Sequence, residues 1–74
     1  MSVVVRHPIF IDYADYDTVD EILTQFYQRG DLDSVTVETI YIADMRNVRM
    51  WLECGKDDLI AIQNELKNRE VNFT

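Results

Sequence analysis

Alternation with a period of two opens the chain. From Val3 to Ile11 the odd positions (Val3, Val5, His7, Ile9, Ile11) are mainly apolar and the even ones (Val4, Arg6, Pro8, Phe10, Asp12) are mixed, the period of a half-buried strand. Pro8 has no N–H to give a ladder, so the strand is expected either to bulge there or to begin regular pairing after it. The period then lengthens. Val19, Ile22, Leu23, Phe26 and Tyr27 stand at i, i+3, i+4, i+7 and i+8, one apolar stripe of a helix. Thr18 precedes Glu21 by three residues, the spacing of a capping box at the helix start, and Gly30 supplies the left-handed residue that ends the helix. Next come "SVTVETIYIADM" and "NVRMWLEC", rich in β-branched and aromatic residues, with "DMRN" predicting a hairpin turn that uses Asp44 and Asn47. In the second run Val48, Met50, Leu52 and Cys54 alternate with Arg49, Trp51 and Glu53, so one face is core. The first run is ambiguous. Val35 and Val37 have one parity and Ile40 and Ile42 the other, so either a bulge shifts the register or both faces are partly covered. After Gly55 and Lys56, "DDLIAIQNELKNRE" predicts a second helix, with Asp57 and Asp58 at the positive end of its dipole, Lys67 and Arg69 near the negative end, and Leu59, Ile62 and Leu66 inward. The closing "VNFT" predicts a short strand that turns Val71 and Phe73 inward.

Strand, helix, strand, strand, helix and short strand resembles the ferredoxin-like (βαββαβ) arrangement. That resemblance implies an α+β fold: a four-stranded antiparallel sheet with both helices on one face and a short last strand. Residues 1–74 are expected to form a single domain. The fold order alone carries no activity, because unrelated functions share it.

Charge alters the picture more than size does. The net charge is −7, and residues 1–38 hold eight acids and two bases, against six and five in residues 39–74. Such a chain repels phosphate backbones and is drawn to basic protein surfaces, so direct nucleic-acid binding is not expected. One cysteine, Cys54, excludes an internal disulfide and a zinc set. The apolar start of "MSVVVRHP" is broken by Arg6, His7 and Pro8, short of a signal segment or membrane span, and the expected address is the cytoplasm.

Candidate chemistry is sparse. Carboxylates crowd "DYADYDTVDE" (residues 12–21), yet an EF-hand frame begun at Asp15 meets Val19 at its fifth position and Asp20 where glycine belongs, so no metal or other cofactor is expected. His7 has no nucleophile spaced to pair with it, and Cys54 has the parity of a core residue. The two glycines are too far apart for a phosphate loop. No enzyme is expected. Phe10 and Trp51 could be neighbours on an open sheet face, as aromatics are in an RRM, but "NVRMWLEC" lacks the glycine-rich pattern of that family.

The acidic stretch interleaves carboxylates with tyrosines, a composition suited to Arg and Lys: carboxylates pair with the cations and rings stack on guanidinium planes. Asp12, Tyr13, Asp15, Tyr16, Asp17, Asp20 and Glu21 are therefore the expected partner-binding set. Phe10, Ile40, Ile42 and Trp51 are the candidates for a dimer or second interface on the open face. The composition resembles that of small acidic proteins, many of them phage-encoded, that imitate nucleic acid to block a basic site. The expected function is an acidic interaction module, homodimeric, that occupies a basic nucleic-acid-binding surface of a larger protein and inhibits it. The alternative is a small-ligand regulatory module similar to ACT domains, with its site where the first strand meets the first helix.

Overall fold

The computed structural model describes residues 3–74; Met1 and Ser2, part of the start read above as too short for a signal, lie outside the described residues. Three strands, β1 (Val4–Asp12), β2 (Ser34–Ile42) and β3 (Met45–Gly55), form an antiparallel sheet in the order β1-β3-β2. Helix α1 (Tyr16–Gln28) follows β1 through a 3-10 turn (Tyr13–Asp15), and α2 (Lys56–Asn68) follows β3 directly. Buried sheet residues (Ile9, Ile11, Val48, Met50, Leu52, Cys54) share one face and pack with Val19, Ile22, Leu23 and Phe26 of α1 and Leu59, Ile62 and Leu66 of α2. Both helices therefore cover the same side.

The four-stranded ferredoxin-like sheet is not formed. The final segment contributes one bridge, Ile11 to Phe73, flanked by Phe10 N–H to the Thr74 carbonyl (3.0 Å) and Thr74 N–H to the Phe10 carbonyl (3.1 Å). The cause is the way α2 ends. Glu70 takes φ +60°, its N–H bonds the Lys67 carbonyl, and the Val71 N–H bonds the Leu66 carbonyl, a Schellman closure. Val71 is buried by that closure, and extended pairing is left to the residues after it. With the fourth strand absent, the order shared with ACT domains is absent too.

Local expectations were corrected at Pro8, at the hairpin turn, at the start of α1 and at Tyr27. Pairing of β1 with β3 runs in unbroken register from Val4–Gly55 to Asp12–Asn47, straight through Pro8–Trp51. Phe10 turns both its backbone groups outward to Thr74, and Pro8 shares its parity, so the missing N–H faces the edge and costs no ladder bond. Register between β2 and β3 is also continuous, from Ser34–Glu53 to Ile42–Met45, so no bulge exists: Val35 and Val37 face the helices while Ile40 and Ile42 lie on the open face. The hairpin turns at Ala43 and Asp44, with φ +49° and +65°, as a two-residue turn whose twist matches the strands. Asn47, expected in the turn, is paired inside β3.

The third correction is the start of α1. The Asp12 carboxylate accepts the Ala14 N–H (2.9 Å), nucleating the 3-10 turn that runs into the helix, so Thr18 stands at the third helical residue instead of capping. At the other end Gly30 is left-handed as expected (φ +81°), with its N–H on the Tyr27 carbonyl and the Asp31 N–H on the Phe26 carbonyl. Tyr27, assigned to the inner stripe by spacing, is 60% exposed.

Candidate interaction surface

Strand β1 delivers Asp12 to the end of the sheet, and the 3-10 turn carries Tyr13 and Asp15 round to α1. Asp17, Asp20 and Glu21, at i, i+3 and i+4, then share one solvent face of the helix. The structure thus joins all seven predicted residues into one surface running from the β1–α1 junction up the first turns of α1. None of the ion pairs among the described residues uses these five carboxylates; the pairs are Arg6–Glu53, Arg29–Asp31, Arg49–Glu38 and Arg69–Glu65.

The tyrosines serve the chain itself. Tyr13 and Tyr16 stack with centroids 5.9 Å apart and planes within 15°, and the Arg46 guanidinium from β3 lies 3.8 Å from the Tyr13 centroid. Tyr16 is half-buried against the core. A cation on tyrosine was expected from a partner; Arg46 supplies it from within, and nothing in the spacing of Arg46 and Tyr13 along the sequence discloses that contact.

The open face carries two apolar groups. Pro8 opposite Trp51 and Phe10 opposite Arg49 set Phe10 and Trp51 diagonally, whereas Ile40 and Ile42 lie toward the hairpin tip with Met45. Between them runs the row Phe10–Arg49–Glu38, with Arg49 and Glu38 4.0 Å apart. Trp51 is covered in part by Arg6, 4.6 Å from its ring, and Arg6 also reaches Glu53 at 3.5 Å. The four predicted residues share the face but do not form one patch.

No family model, no curated protein and no solved structure matches the chain. Cys54 is buried on the core face, and burial, with Asp58 and Asp33 adding to it, pushes its thiol above the ordinary value. A neutral buried thiol is a poor nucleophile. Among the described residues no three of His, Cys, Asp and Glu gather where they could hold a metal ion, and no helix is long and apolar enough to cross a membrane.

One feature escaped the sequence reading: an open groove of about 310 Å³ between α1 and β2, walled by Leu23, Thr24, Tyr27, Val35, Val37 and Met50, with Asp20 at its rim. Spacing places Tyr27 and Val37 on inward faces, and only the structure shows that nothing covers them.

Proposed function

We propose that the protein is a non-enzymatic interaction module that binds a basic surface of a larger protein, one that otherwise grips nucleic acid, and thereby inhibits it. The observation that carries this reading is the set Asp12, Asp15, Asp17, Asp20 and Glu21, five carboxylates on one surface outside every ion pair among the described residues. Charges left solvated in the free protein can pair with Arg and Lys of a partner without first breaking an internal bridge, and their summed field speeds encounter. Asp12 has a second duty in the turn, and Tyr16 a packing one, so Asp15, Asp17, Asp20 and Glu21 carry the binding. A single thiol suits the reducing cytoplasm, where this module would meet nucleic-acid enzymes. Affinity capture with the immobilised protein tests it. The captured partner should be displaced by nucleic acid and by salt, and a chain with Asp15→Asn and Asp17→Asn should capture far less; a partner indifferent to all three overturns the reading.

The same proposal includes a homodimer through the open face. Arg6 with Glu53 and Arg49 with Glu38 leave that face balanced in charge, so a second copy meets no net repulsion there, unlike on α1. Light scattering at tens of micromolar should give the dimer mass, and Trp51→Glu should give the monomer. A dimer that survives Trp51→Glu places the interface elsewhere.

A further inference from the structure

Among the described residues strand β2 is an edge of nine residues with a backbone open to pairing. In an antiparallel ladder a residue turned away from one neighbour turns toward the other. Phe10 turns from β3 to Thr74, so its opposite residue Arg49 turns from β1 to β2, and Glu38 turns to Arg49. Glu38 fixes the parity of its strand. Val35, Val37, Thr39 and Tyr41 are left with N–H and C=O directed out along the free edge.

The two edges of the sheet are not alike. On β1, Pro8 removes one outward donor and Thr74 occupies the outward groups of Phe10. On β2 there is no proline, and the side chains at the edge are apolar and uncovered: Val37 is 44% and Tyr41 67% exposed. Val35 and Val37 also line the groove against α1, with Leu23 and Tyr27 as its far wall. A strand laid along this edge would place every second side chain in that groove, the arrangement of peptide recognition by strand addition.

Charge decides what kind of strand. Asp17, Asp20 and Glu21 on α1 and Asp31, Asp33, Glu38 and Asp44 on or beside β2 surround the edge, while residues 16–28 and 31–44 contain no Lys or Arg. Of the bases nearby, Arg29 pairs with Asp31 and lies over Phe26, Arg49 pairs with Glu38, and Arg46, opposite Tyr41, lies over Tyr13, so the acids around the edge outnumber them. A second copy offering its own β2 would bring the same carboxylates together. On a strand whose apolar side chains enter the groove, the alternate Lys or Arg turn to the open face beside Glu38, and the carboxylates of α1 favour them through their long-range field.

We propose that the free edge of β2 takes up an extended segment of a partner protein that alternates apolar and basic residues, its apolar side chains entering the groove between α1 and β2. This rests on the basic-partner reading above and adds to it the conformation and the place of the bound segment.

A short synthetic peptide alternating valine and lysine is the probe, followed by fluorescence anisotropy and by amide shifts of β2 at low ionic strength. Three comparisons accompany it: the same peptide N-methylated at alternate residues, a valine–glutamate peptide, and the protein with Thr39→Pro. Thr39 turns its N–H outward, so proline there removes an edge donor as Pro8 does on β1; the N-methylated peptide decides the matter if that variant does not fold. The parent peptide should bind and shift the amides of Val35, Val37, Thr39 and Tyr41, while N-methylation, which removes several backbone hydrogen bonds, should weaken binding about tenfold or more and Thr39→Pro, which removes one, by up to about tenfold. Equal binding of the parent and N-methylated peptides overturns strand addition and leaves the acidic surface reading standing. Equal binding of the glutamate peptide overturns the choice of a basic strand. No binding of either lysine peptide overturns this proposal and also counts against the basic-partner reading.

Discussion

Glu70 holds a conformation that L-residues other than Asn and Gly avoid, φ +60°, because α2 closes on it: its N–H and that of Val71 return to the Lys67 and Leu66 carbonyls. It also sets a negative charge at the negative end of the helix dipole. Glu70→Gly removes both penalties, and despite the greater freedom glycine has when unfolded it should stabilise the fold by about 1 kcal/mol in urea denaturation. Gly30, at φ +81° with open space where a Cβ would stand, shows the natural solution at the end of α1. Cys54 provides a second test at this scale. Its folded pKa is raised, by burial first and by Asp58 and Asp33 next, so the folded state holds the proton more tightly than the unfolded chain does. The stability this represents is present in full below the ordinary thiol pKa of 9.0 and is lost as pH rises through the higher folded value. Relative to the parent, Cys54→Ala should therefore lose less stability on going from neutral pH to above pH 9, measured as the difference between two denaturation midpoints. Parallel losses in the two proteins would show that the thiol does not titrate with folding.

Among the elements, the β2–β3 hairpin was legible as a pair of strands but not in its turn. Ala43 gives no compositional sign of the left-handed backbone it adopts, and Asp44 and Asn47 drew the turn two residues too late. Continuous register to Ile42–Met45 needs two positive φ values, which Ala tolerates poorly. Replacing Ala43 and Asp44 together by Asn and Gly should raise the midpoint of thermal unfolding, by an amount corresponding to roughly 1 kcal/mol, without altering the circular dichroism. A fall would mean that the tip adopts another turn in solution. The inner stripes of both helices were legible because 3.6-residue spacing marks burial, yet Tyr27 broke the rule: spacing assigns a side chain to a face, not to something that covers it. The fourth strand failed for a related reason. Alternation in "VNFT" is the correct period for a strand, but Val71 is consumed in closing α2, a backbone event that a side-chain pattern does not record.

At the scale of the whole molecule, the acidic surface was legible as composition, because five carboxylates in ten residues cannot all be buried, and the structure disposes them on one turn and one helix face. What composition could not show is the restraint within that surface. Arg46 reaches across from β3 to the ring of Tyr13, bringing a cation from the less acidic half of the sequence to the centre of the acidic one. Two effects on association follow from it: it reduces the local negative field, and it covers an aromatic ring that a partner's guanidinium could use. Arg46→Ala removes both and takes the net charge from −7 to −8. Because Arg46 is exposed, fold stability should fall by no more than about 1 kcal/mol, the value of an exposed cation–π contact. The association rate with a basic partner should rise, the rise should be largest at low salt, and it should shrink as ionic strength shortens the screening length to about 8 Å. Stopped-flow mixing over a salt series separates this from a change in packing, which would alter dissociation at every salt concentration. An association rate that falls on removing Arg46 would show the opposite arrangement, in which the Arg46–Tyr13–Tyr16 stack is itself the contact and the carboxylates around it are no more than a solvated rim.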